Sequence, residues 1–121
     1  MRTAAIDAGF AELVAPVRPN GKHLMPEMPM AEYVQRTRPD GLPEDPWLRV
    51  HVRAGASIAS MAPASMAVAG SLAQWRTRTG LPFDTSGPVL LPQALVPVHC
   101  DVDHDVAVYV EPNVWVRHPL R

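Results

Sequence analysis

Residues 45–58 read DPWLRVHVRAGASI, and the fold depends on how that stretch is taken. By alternation it is a strand, with Trp47, Arg49, His51 and Arg53 on one face and Leu48, Val50, Val52 and Ala54 on the other. By punctuation it is a helix. Asp45 suits an N-cap, Pro46 the first helical position, Arg53 the last turn and Gly55 the C-terminal stop. These end signals are independent and agree, whereas alternation over so few residues arises easily by chance. We read a helix.

Upstream, MRTAAIDAGF reads as a helix stopped by Gly9, with no lead-in before it. AELVAPVRP is a short apolar run closed by Pro19, Asn20 and Gly21, and reads as a buried strand. A loop over 20–29 leads to MAEYVQRTR, residues 30–38, expected to be a two-turn helix. Downstream, SIASMAPASMAVAG alternates weakly, and Pro63 predicts two short strand pieces. SLAQWRTRTG predicts a helix from Ser71 to Gly80. The tail from Val89 is the most strand-like part, divided by Pro92, Pro97 and Pro112, with an acidic turn near Asp101–Asp105. The order predicts an α+β fold in one domain over 1–121, with a mixed sheet and two or three short helices.

Composition narrows the function classes. The chain has 121 residues, an apolar fraction of 47% and a net charge of −1, which gives no electrostatic reason to expect nucleic acid or an acidic membrane. No apolar run approaches the roughly 20 residues that span a bilayer. The N-terminal stretch is too short for a secretory signal, and a lone cysteine, Cys100, makes no internal disulfide, so the expected compartment is the cytoplasm. Fourteen prolines, spread rather than clustered, predict short elements with defined stops.

With that order in place, the chain resembles the second half of a GNAT-superfamily acyl-CoA N-acyltransferase domain. MRTAAIDAGF would end the cofactor-proximal helix, ELVAPVR would be the strand after it, DPWLRVHVRAG the next helix and SIASM the strand beyond. MAEYVQRTR followed by DPWLRVHVRAG is especially similar to GNAT-like domains fused to nitrilase-type amidohydrolases and to related stand-alone acetyltransferases. The tail, with YVEPNVWVRH, looks like the final strands of such relatives but carries no mechanistic motif. Two departures stand out. The family's Phe after the helix-stopping glycine is Ala56 here, and no Gly-rich pyrophosphate loop occurs in the chain.

The resemblance implies acetyl-CoA as acyl donor and a small-molecule or peptide amine as acceptor. It points to His51, four residues before Gly55, as a catalytic acid/base where the family often has a tyrosine; imidazole titrates near neutrality and suits that work. The bland alternative is a helix histidine between two arginines. Asn20 and Asp45 fall beside elements that border the pantetheine arm, making them cofactor-binding candidates, against the simpler roles of turn residue and N-cap. HCDVDHD, residues 99–105, invites a metal reading, but its spacing fits neither zinc nor a hard cation, and a solvated hairpin tip is expected. Cys100 precedes an acid and lacks the cationic setting of a nucleophile. Trp47, Trp75 and Trp115 read as core anchors.

A half-fold of this kind would leave the ELVAPVR strand with an open apolar edge. The chain is therefore expected to form a homodimer or to pair with a complementing N-terminal half. The rival to an enzyme is a non-catalytic association module that uses the half-fold as an interface.

Overall fold

The computed structural model describes residues 11–120. The helix expected over MRTAAIDAGF falls outside them. In chain order the elements are β1 (Glu12–Val17), a 3-10 turn (Lys22–Leu24), α1 (Met30–Tyr33), α2 (Pro46–Arg53), β2 (Ser57–Gly70), α3 (Leu72–Thr79), β3 (Gly87–Val89), β4 (Val98–Asp101) and β5 (Val106–Pro119). This is the α+β class, compatible with a partial GNAT-like fold. Each strand pairing among the described residues is antiparallel, where a mixed sheet was expected. The topology accounts for it: the long connection over 18–56 carries the chain from β1 to β2 on opposite sides of β5, so the two never pair, and β5 runs antiparallel to both.

The deciding stretch is helical. The Asp45 carboxylate accepts from the N–H groups of Trp47 and Leu48, each at 3.0 Å, and Pro46 takes the first position. The helix stops at Ala54, and Gly55 supplies the left-handed backbone, φ +99°, that turns the chain into β2. The alternating pattern misleads because its supposed apolar face is not buried as a unit. Leu48 is buried, but Val50 is half exposed, as is Trp47, which is no core anchor. α3 carries a capping box between Ser71 and Gln74 and stops at left-handed Gly80. Its Trp75 is buried, with the indole N–H donating to the Ala107 carbonyl at 2.9 Å.

Three local expectations are corrected. SIASMAPASMAVAG is one continuous strand, because the register slips between Ala62 and Met66 and leaves Pro63 in an irregular stretch of an edge strand, where its missing N–H costs no ladder bond. MAEYVQRTR gives only the single turn of α1; Thr37 bridges Pro43, and Arg38 N–H bonds the Leu42 carbonyl, so the segment folds back instead of propagating. β1 is a half-exposed strand, with one neighbour among the described residues, not a buried one. The acidic turn is the solvated tip expected: His104 donates its backbone N–H to Asp101, and its ring contacts the same carboxylate at 2.8 Å. Among the described residues no group of three His, Cys, Asp or Glu side chains could hold a metal, and no helix is long and apolar enough to cross a membrane.

β5 is the spine. β2 runs along one side of it for its whole length, while β1 and the β4–β3 hairpin take the other side end to end. Two apolar clusters follow from that division. One joins α1 and α2 to Val17, Leu95, Val114 and Val116; the other joins α3 to Phe83, Val98, Cys100, Ala107 and Tyr109.

Asp45 fastens the first cluster. Beyond capping α2, it accepts from the N–H groups of Asn20 (3.3 Å) and Gly21 (2.8 Å) and from the Tyr33 hydroxyl. Gly21 is required by closeness, since a Cβ there would meet the Tyr33 hydroxyl at 2.8 Å. Burial pushes the Asp45 carboxyl upward, but the donors from Tyr33, Gly21, Leu48 and Asn20 outweigh it and hold the pKa below the ordinary carboxylate value. A lowered folded pKa means that the contribution is complete above the unfolded value and is lost as pH falls through the folded one. Asp45→Ala should therefore cost about 3 kcal/mol at pH 7, read by urea unfolding, because several donors lose their acceptor together. The cost should shrink below about pH 4, where the wild-type carboxylate is itself protonated.

Candidate binding site at a break in the sheet

On the β1/β4 side, β5 is paired at residues 106–108 and again at 114–119, and the stretch between has no strand partner among the described residues. Strand alternation still turns Tyr109, Glu111 and Asn113 inward there, and all three are buried. Arg18, just past β1, and the loop over 91–96 fill the break.

Glu111 is the centre of what results. Its Oε1 accepts from Arg18 Nε at 3.0 Å and from the Tyr109 hydroxyl at 2.9 Å, and its Oε2 from the Asn113 amide at 3.2 Å. Arg18 Nη2 donates in turn to the Gln93 carbonyl at 2.8 Å. Gln93 has φ +67°, a left-handed conformation uncommon outside glycine and often found where a backbone group is held for a purpose. The Tyr109 hydroxyl accepts from the Leu95 N–H at 3.1 Å. Burial first, and then Glu111, push its pKa up against the opposing pull of Leu95, so it stays a neutral donor.

Arg18, Gln93, Tyr109 and Glu111 line a cavity of about 510 Å³ whose apolar wall includes Met66, Val68, Trp75 and Leu91. Apolar walls with a few convergent polar groups are the usual make-up of a small-molecule site. Lys22 braces the loop from behind. Fully buried, it donates through Nζ to the carbonyls of Leu95 (2.6 Å) and Met25 (2.7 Å), and burial lowers its pKa.

Of the candidate site residues read from the sequence, His51, Asn20 and Asp45, none lines this cavity. Asn20 and Asp45 do come together, but as the latch that closes the first cluster. The Asp45 oxygens are taken up by the N–H groups of Asn20 and Gly21 and by those at the start of α2. His51 lies in the last turn of α2, its Nδ1 2.9 Å from His118 Nε2 near the end of β5 and its ring edge-on to Trp47. The outer ring nitrogens, His51 Nε2 and His118 Nδ1, are buried with no hydrogen-bond partner among the described residues. Six strand residues lie between Glu111 and His118, which puts them at least roughly 20 Å apart at about 3.3 Å per residue.

Sequence reasoning missed Arg18, Tyr109, Glu111 and Asn113. A signal was present: in YVEPN, period two places Tyr, Glu and Asn on one face of the most strand-like part of the chain.

Comparison with known proteins gives one informative likeness. The chain is 41% identical over 138 aligned residues to a protein named arginine N-acetyltransferase avaD, from Aspergillus versicolor. The match takes in 99% of this chain and 48% of that protein, so the chain spans about half the length of the curated relative it matches. No family model and no solved structure matches.

Burial, and then the charge of His118, lower the His51 pKa below its usual value. The folded state therefore binds fewer protons at this group than the unfolded chain does. Stability should be complete above about pH 6.5 and decline as pH falls below it. We expect the melting temperature to drop by a few degrees between pH 7.5 and 5.5, and His51→Gln to flatten that slope, measured by scanning fluorimetry.

Proposed function

We propose that the chain forms the acceptor-binding part of an N-acetyltransferase, one that moves an acetyl group from acetyl-CoA to the amine of a small molecule carrying a guanidinium. The observation that carries this reading is the identity across nearly the whole chain to a relative named for arginine N-acetylation. The cavity supports it. A buried carboxylate, Glu111, and the Gln93 carbonyl suit a planar cation, and the wall of Val68, Trp75 and Leu91 suits an aliphatic stem behind it. In the transfer, the acceptor nitrogen bonds the acetyl carbon and the carbon–sulfur bond breaks. The amine loses a proton and the thiol gains one.

The acid/base proposed from the resemblance, His51, is held largely neutral at pH 7 and so keeps the lone pair that a proton acceptor needs. At roughly 20 Å along β5, it does not touch an acceptor seated at Glu111 in the same copy. The outer edge of β2 and that of β1 are unpaired among the described residues, and these are where a second copy or a complementing half would add a strand.

The test is thiol release from acetyl-CoA with L-arginine as acceptor, followed by mass spectrometry of the product. Acetylarginine should form. Glu111→Gln should lower kcat/KM for arginine by about tenfold to a hundredfold, chiefly through KM, since it removes charge from ground-state binding. Absence of acetylated product with arginine would overturn the reading.

A further inference from the structure

The acceptor set of the cavity is already filled by a guanidinium, and it belongs to this chain. Arg18 presents the edge carrying Nε and Nη2, one nitrogen to Glu111 and the other to the Gln93 carbonyl. The two acceptors come from β5 and from the loop over 91–96, elements that a cation bound between them would draw together. We propose that Arg18 is an internal stand-in for a guanidinium ligand, a latch that holds the cavity's acceptors when no ligand is bound and swings out when such a ligand enters. This rests on the acceptor reading above for its choice of ligand and concerns regulation of the same site.

Three observations support displacement over a fixed structural pair. First, the partners are unequal in burial: the Arg18 side chain is 46% exposed and the Glu111 side chain 7%. The carboxylate belongs to the cavity, whereas the guanidinium reaches it from the solvent side. An exposed arginine loses little when it returns to water. Second, Glu111 needs a cation. Without one, a buried carboxylate is left with only the neutral donors Tyr109 and Asn113, which is costly, so the site retains affinity for whichever guanidinium is at hand. Third, the cavity is larger than the latch requires. Its volume of about 510 Å³ extends along Trp75, Val68 and Leu91, beyond the polar contacts that Arg18 makes. A free arginine would reproduce those contacts and also lay its methylenes on that wall.

An internal occupant reduces apparent affinity by the fraction of time it holds the site. Removing it should therefore strengthen binding. L-Arginine titrated into the full chain, followed by tryptophan fluorescence and by calorimetry, should bind Arg18→Ala about tenfold more tightly than wild type. Citrulline, which has the shape without the charge, should bind neither. Arg18→Lys, which can satisfy one acceptor but not the fork, should fall between the two, and it serves if the alanine variant folds poorly. Methylguanidine at low millimolar concentration should restore the melting temperature lost in Arg18→Ala, while methylamine should not.

Folded Arg18→Ala and Arg18→Lys that bind arginine no tighter than wild type would overturn the latch. So would thermal rescue by methylamine equal to that by methylguanidine. The two proposals fail separately. Tighter binding without acetyl transfer leaves the latch standing and removes the transferase reading. Acetylation with arginine binding and KM unchanged in Arg18→Ala does the reverse.

Discussion

β5 is asked to serve two partners in succession along one side, and much of the molecule follows from that demand. The strand is fourteen residues long, and β2 matches it on the other side. β1 covers six of its residues and β4 three, which cannot close the row. The backbone between must find other donors and acceptors or lie open. What spans the break is side chains and a loop: Arg18 reaches the Gln93 carbonyl, and the Tyr109 hydroxyl takes the N–H of Leu95. The cavity thus sits where the strand lengths leave β5 uncovered, and its polar character comes from the side chains of Arg18, Tyr109 and Glu111 with the Gln93 carbonyl.

Two buried carboxylates show how alike groups come to different ends. Asp45 is surrounded by donors on fixed backbone, four N–H groups with the Tyr33 hydroxyl, and nothing from solvent can compete for it. Glu111 has no backbone donor. Its partners are side chains, and the one carrying charge is half in water. A carboxylate held by backbone is a fastener, because its donors cannot leave without unfolding. One held by a solvent-facing arginine is open to exchange. That distinction, more than burial, separates the structural acid from the candidate binding acid.

The sequence was legible where signals were local. The caps around α2 and α3 are set within four or five residues, so Asp45, Gly55, Ser71 and Gly80 could be read directly. The hairpin tip at 102–105 was equally local. What could not be read was set by partners far along the chain. Pro63 looks like a strand break until β5 carries the strand past it. β1 looks buried from its apolar residues, but its exposure depends on what lies beside it. The cavity was least legible of all, since Arg18, Gln93 and Glu111 come from three separate segments and meet only through β5 and its break. Asn20 and Asp45 lie far apart in sequence, and that the Asn20 backbone N–H meets the Asp45 carboxylate was not legible from either segment alone.

The separation between His51 and Glu111 constrains any account of catalysis. His51 stands beside His118 at one end of β5, and Glu111 faces the break near its middle. A hydrogen-bonded strand cannot shorten, so roughly 20 Å along it is a fixed span and not a gap that a side-chain rotation closes. Proton transfer needs contact or one intervening water. Within a single copy, then, an acceptor whose guanidinium rests on Glu111 would have to extend along most of that span to bring its amine to His51, farther than an arginine side chain reaches. If His51 acts as the base, the acceptor's cation is held elsewhere; if Glu111 holds the cation, the proton leaves by another group. Within one copy, the strand makes these alternatives exclusive.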